Sequence, residues 1–212
     1  MEELDTIVEG IRAELVAKST VRDMALQRSR ALIRHCANAI RAAHRGDFED
    51  SEALLATTRE AAHELMDGVE AYPDLYYAGY TRDALKEYVE AQVVYAFITD
   101  GTLLSHMELG VEGSVYLKGL AEAASEMRRH ALDLMRQNRL ERTEEILGMM
   151  DDVYSQLVTV DFPDAITGGL RRTTDMLRGV VQRTRGDLTT AIRQEMMRQA
   201  LRDFEARMGM SE

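Results

Sequence analysis

Only two prolines, Pro73 and Pro163, interrupt 212 residues dominated by Ala, Leu, Arg, Glu and Met. Proline removes a backbone donor and clashes with the preceding helical turn, so its scarcity leaves long stretches free to stay helical. The dominant residues are strong helix formers, and few β-branched or aromatic clusters compete for strand. The expectation is an all-α chain: one single-domain antiparallel bundle over residues 1–212, built from about six or seven helices.

Apolar spacing places those helices. Residues 3–45 read as one long helix, in which Leu26, Leu32, Ile33, Cys36, Ala37, Ile40 and Ala43 form an apolar band at the helical step. Gly46-Asp47 ends it, with Asp47 as a candidate cap for a second helix that runs to about Glu70. Tyr72-Pro73-Asp74 is a break, and a third helix covers about Thr81 to Thr99. Asp100-Gly101 closes that helix, and a loop reaches past Gly110 and Gly113. Helices follow over about Val115–Gln137, Arg142–Val158 and Leu170–Met208, the last with an interruption expected at Arg185-Gly186-Asp187.

No apolar run approaches the roughly 20 residues that span a bilayer, and the acidic start, Glu2-Glu3-Leu4-Asp5, argues against a secretory signal. Cys36 is the single cysteine, so no internal disulfide and no zinc spacing exist. A cytoplasmic protein with no membrane partner is expected. The net charge of −11 is unevenly spread. Residues 1–45 carry +2, residues 46–170 carry −16 and residues 171–212 carry +3. Such a balance disfavours indiscriminate binding to a phosphate backbone, yet allows a confined site in which metal ions supply positive charge.

The third helix contains Tyr88 to Ile98, YVEAQVVYAFI, where only Glu90 and Gln92 interrupt an apolar run. A helix apolar on nearly every side is buried on most sides. A carboxylate inside it must be paired, protonated or bound to a cation. Glu87 stands three residues earlier on the same face, next to Lys86. Two readings stay open from this helix: Glu90 pairs with an arginine or lies at an oligomer interface, or both acids hold a cation. A second pair, Glu122 and Glu126, shares a face of the fourth helix that points away from its stripe of Leu117, Leu120, Ala124, Met127, Ala131 and Leu134. Solvent exposure is the plain reading of that geometry. Gly119 and Ala123 border the same side, where another helix or a ligand has room to approach, and Lys118 stands one turn before Glu122. Carboxylates from two packed helices make a hard-oxygen site suited to Mg²⁺ or Mn²⁺.

Three segments taken together resemble the translin family. Arg82-Asp83-Ala84-Leu85-Lys86-Glu87-Tyr88-Val89-Glu90-Ala91 resembles a motif of its translin-associated factor X branch, the catalytic one. Tyr116-Leu117-Lys118-Gly119-Leu120-Ala121-Glu122-Ala123-Ala124-Ser125-Glu126 resembles the second motif of that branch, and Arg28-Ser29-Arg30 through Ala43-His44-Arg45-Gly46-Asp47 is similar to the family's opening helix. The resemblance implies a helical chain that assembles into a closed homo-oligomer, here as a prokaryotic or archaeal-type single-gene member. It implies an endoribonuclease that binds and cleaves single-stranded RNA with Mg²⁺ or Mn²⁺, leaving 5′-phosphates. Glu87, Glu90, Glu122 and Glu126 match the acids that support metal binding and catalysis in that branch. Glu122 departs from the usual aspartate by one methylene.

The resemblance also frames the rival reading, a non-catalytic binder of single-stranded RNA or DNA like translin itself. Translin carries a basic stretch ahead of the third helix; here it reads Tyr76-Tyr77-Ala78-Gly79-Tyr80-Thr81-Arg82, and only Arg82 matches. Candidate nucleic-acid contacts are Arg82, Lys86 and Lys118 beside the acids, with Arg30 and Arg34 on the first helix. Arg41 and Arg45 fall within about 60° of those two, a row that suits either an RNA path or a solvated face. Tyr76, Tyr77 and Tyr80 are able to stack on bases or to pack against neighbouring helices.

Overall fold

The computed structural model describes Glu2–Met208. Among the described residues the chain is all-helical: α1 (Glu2–Arg45), α2 (Phe48–Val69), α3 (Pro73–Tyr76), α4 (Gly79–Thr99), α5 (His106–Leu109), α6 (Gly113–Arg136), α7 (Leu140–Val158), α8 (Asp164–Thr167) and α9 (Leu170–Met208). Six of these are long, as the periodicity indicates, and α3, α5 and α8 are single turns. None of the helices is long and apolar enough to cross a membrane. The chain divides after Leu120 into two compact units, and α6 runs unbroken from the first into the second.

In the first unit, α1 reverses into α2 at Gly46, whose φ of +79° suits glycine. Gly46 N–H donates to Ala43 O and Asp47 N–H to Ala42 O, both at 3.0 Å, which closes the end of α1. Asp47 does occupy the N-cap position of α2, but its carboxylate makes no cap bond. It accepts instead from Arg45 Nε at 2.8 Å, because the charged neighbour outcompetes a backbone amide. The α1 core comprises Ala25, Leu32, Cys36, Ala39, Ile40, Ala42 and Ala43, with Ser29 also buried. Ile33, placed in the apolar band by its spacing, is exposed: it sits about 100° round the helix from Leu32. Ser51 Oγ on α2 donates to Ala39 O at 3.0 Å, where small side chains bring the two helices close.

The segment expected to be loop after Asp100 contains α5. Its reason is a reciprocal cap: Glu108 N–H donates to Ser105 Oγ at 3.3 Å and Ser105 N–H to Glu108 Oε2 at 2.8 Å. That is the S-x-x-E signature of a helix start.

In the second unit, α7 contributes Ile146, Met150, Val153 and Leu157, and α9 contributes Leu170, Leu177, Val181 and Leu188. The interruption expected at Arg185-Gly186-Asp187 does not occur. Neighbouring elements hold that stretch in place: Arg128 Nη2 of α6 lies 2.8 Å from Asp187 Oδ2, and Arg185 Nη2 lies 3.0 Å from Asp151 Oδ1 of α7. A single glycine costs only about 1 kcal/mol in such a helix, too little on its own to break it.

A candidate metal-binding carboxylate site

The site begins with the burial of α4. Twelve of its residues are buried, among them Leu85, Tyr88, Val89, Val93 and Val94. The apolar stretch Tyr88–Ile98 is therefore covered on nearly all sides, as its composition requires. Gln92 donates to Leu55 O and Thr58 Oγ1, both at 3.4 Å, which satisfies its amide inside the helix pair. Glu87 and Glu90 remain on the face of α4 that is half-buried. Lys86 Nζ stands 3.3 Å from Glu87 Oε1, with both side chains well shielded from water.

The start of α6 lies against that same helix. A Cβ added at Gly119 would sit 2.6 Å from Val89 Cβ and 2.8 Å from the Lys86 carbonyl oxygen. Only glycine allows this approach, because one of the two obstacles is backbone. Glu122 follows three residues later, one turn along α6. Glu87, Glu90 and Glu122 each offer one carboxylate oxygen, and these oxygens all lie within 4.8 Å of one another. All three side chains are half-buried. Glu122 is thus less exposed than its position opposite the α6 core stripe suggests, because the Gly119 side of that helix is covered too.

Three carboxylates this close repel one another, and Lys86 beside Glu87 offsets part of that repulsion. The Cys36 thiol registers the same field. Burial first, then the charges of Glu87 and Glu90, push its pKa far above the ordinary thiol value. Cys36 is fully buried in the α1 core and is a structural, unreactive thiol. The donor set fits a hard divalent cation. Ligand oxygens about 2.1 Å from Mg²⁺ stand roughly 3 to 4 Å apart, so small side-chain adjustments suffice.

No protein-family model matches the chain. It is 29% identical over 203 residues to an uncharacterized protein of Methanocaldococcus jannaschii, a match covering 95% of this chain and 88% of that one. Among solved structures, it superposes on AfC3PO with a TM-score of 0.81 and 28% identity, over 89% of this chain and 98% of that chain. The same protein in complex with duplex RNA gives a TM-score of 0.82 at the same identity and coverage. The fold is that of C3PO and translin. Apo-NeC3PO, at 20% identity and a TM-score of 0.79 over 87% of this chain and 96% of that one, shares the fold. These likenesses support the translin family.

The remaining candidate residues fall into two groups on this translin-type scaffold. Arg82 is engaged within the protein: Nη2 donates to Ser114 Oγ at 2.6 Å and lies 3.6 Å from Glu112 Oε2, linking the first turn of α4 to the first turn of α6. Spacing gave no hint of this role for Arg82. Lys118 is half-buried on α6. Arg30, Arg34, Arg41 and Arg45 are all exposed, so the row on α1 is accessible to solvent. Glu126 lies outside the three-acid group, with Arg129 Nη1 3.7 Å from its Oε1. Tyr76 and Tyr77 meet edge to face at 5.1 Å, and Tyr77 is largely exposed.

Proposed function

We propose that this chain is an RNA-binding protein of the catalytic, translin-associated factor X type, and that it cleaves single-stranded RNA with Mg²⁺ or Mn²⁺. The observation that carries the reading is the convergence of Glu87, Glu90 and Glu122 within 4.8 Å. It gains support from the duplex RNA held by AfC3PO, a structural neighbour at 28% identity. A bound divalent ion supplies positive charge to a phosphodiester and lowers the pKa of a coordinated water. The chain's own residues set the rest. Glu87, Glu90 and Glu122 hold the ion, and Glu126 on the next turn of α6 orients the attacking water. Lys86 and Lys118 offset the acidic field for an approaching phosphate, and the exposed Arg30 and Arg34 on α1 bind RNA backbone. We further propose a closed homo-oligomer as the working form.

The test is cleavage of end-labelled single-stranded and duplex RNA with Mg²⁺, Mn²⁺ or EDTA, using the parent and Glu90→Gln. The expected result is metal-dependent cutting of the single strand by the parent, lost in the variant while RNA binding persists. Equal cutting by both proteins refutes the catalytic assignment. Binding without cutting by the parent leaves the non-catalytic, translin-like reading.

A further inference from the structure

The two helices that carry the acids run side by side in one direction, and three contacts give their register. Arg82 of α4 meets Ser114 of α6, 32 residues on. Further along, the Gly119 backbone lies against Lys86 and Val89. Beyond that, Glu122 joins Glu87 and Glu90. The contacts follow the same order on both helices, which makes the pair parallel. Glu90 and Glu122 are again 32 residues apart, so the offset set at the first contact persists to the last. Eight residues separate Arg82 from Glu90 and Ser114 from Glu122, about 12 Å along either helix.

The first contact is a clamp of three polar groups. Arg82 Nη2 donates to Ser114 Oγ at 2.6 Å, and Ser114 Oγ donates to Glu112 Oε1 at 2.9 Å. Arg82 Nη2 also lies 3.6 Å from Glu112 Oε2, a buried oxygen that accepts no hydrogen bond. The guanidinium charge compensates that carboxylate. The Arg82 side chain is only 25% exposed, which leaves little of it for an incoming phosphate.

The clamp has a force to hold against. Clustered carboxylates repel one another when no ion lies between them, and that repulsion drives α6 away from α4. Gly119 permits the close approach but has no side chain with which to hold it. The grip comes from the start of the helix instead.

We propose that Arg82, acting through Ser114 and Glu112, is a positioning residue for the carboxylate site. It fixes α6 against α4, so that Glu122 stays beside Glu87 and Glu90 and the acids are arranged before an ion arrives. The proposal rests on the reading of those acids as an ion site. Arg82 then serves the ion and not the RNA.

The test compares the parent, Arg82→Gln, Ser114→Ala and the double variant in the full chain. Mn²⁺ affinity is read by electron paramagnetic resonance, and RNA affinity separately in EDTA. Arg82→Gln is expected to weaken Mn²⁺ binding about tenfold, as removal of a support outside the ligand shell does. Ser114→Ala, which removes one oxygen, should weaken it about threefold and serves alone if Arg82→Gln does not fold. The double variant should be no worse than Arg82→Gln, because both changes act through one contact. The line shape of the bound ion should change in the same variants, and RNA affinity in EDTA should match the parent. Parental Mn²⁺ affinity in either single variant overturns the proposal, as do additive losses in the double variant. Weakened RNA binding in EDTA with Mn²⁺ affinity intact also overturns it and assigns Arg82 to RNA. A parent that binds no Mn²⁺ is a different failure: it removes the ion site itself, and the positioning role with it.

Discussion

The sharpest structural test of the carboxylate site is Gly119→Ala, a change that sequence alone would call stabilising. Alanine in place of glycine within a helix gains about 1 kcal/mol of propensity. At Gly119, however, the new Cβ would stand 2.6 Å from Val89 Cβ and 2.8 Å from the Lys86 carbonyl. Carbon atoms pack at about 3.5 to 4.0 Å, so α6 and α4 must separate locally by roughly 1 Å. Overpacking of this kind costs about 1 to 3 kcal/mol, and the clash with backbone places Gly119 at the upper end. The net expectation is a loss of about 2 kcal/mol. For a domain of this size that lowers Tm by roughly 4 to 8 °C. The same displacement moves the carboxylates apart, and misplacement by about 1 Å commonly costs on the order of 100-fold in rate. Thermal denaturation and RNA cleavage are measured on one preparation. Adding Val89→Ala relieves the side-chain clash but not the carbonyl contact, so recovery should be partial. A Gly119→Ala protein that melts higher than the parent and cuts at the parental rate would refute the reasoning.

Three further outcomes follow from particular contacts. Cys36 should resist thiol reagents in the folded protein and react fully after denaturation, measured by absorbance of a released chromophore. Its folded pKa is raised above the ordinary value of 9.0, so its contribution to stability is intact below pH 9 and lost as pH rises beyond it. Urea unfolding at pH 9 to 10 should show that slope, at most about 1.4 kcal/mol per pH unit, and Cys36→Ala should remove it. Ser105→Ala removes the reciprocal cap of α5 and should lower Tm by about 2 to 4 °C, equivalent to about 1 kcal/mol.

What the sequence conveyed depended on the range of the interaction. The six long helices and their ends near Gly46, Pro73 and Asp100 followed from local periodicity and turn residues, which act within a few positions. Burial of α4 followed from its apolar run, since no other environment tolerates it. The α5 cap was also written locally, in Ser105 and Glu108, and the S-x-x-E spacing was the available signal. Asp47 misled because propensity says nothing about a competing arginine two residues away. Along the unbroken α9, Asp187 and Arg185 pair with Arg128 and Asp151, side chains distant in sequence that local spacing around Gly186 does not reveal. The carboxylate site was half legible. Each pair of acids could be placed on its helix, but spacing alone gave no sign that Glu122 joins Glu87 and Glu90 in one group of carboxylates.

Divalent-ion binding tests the shared site most directly. Titration of the parent with Mn²⁺, followed by electron paramagnetic resonance, should reveal one ion per chain with an affinity that Glu87→Gln, Glu90→Gln and Glu122→Gln each weaken at least tenfold. Parental affinity in Glu122→Gln would show that α6 contributes nothing to the ion, and the proposed site would fail.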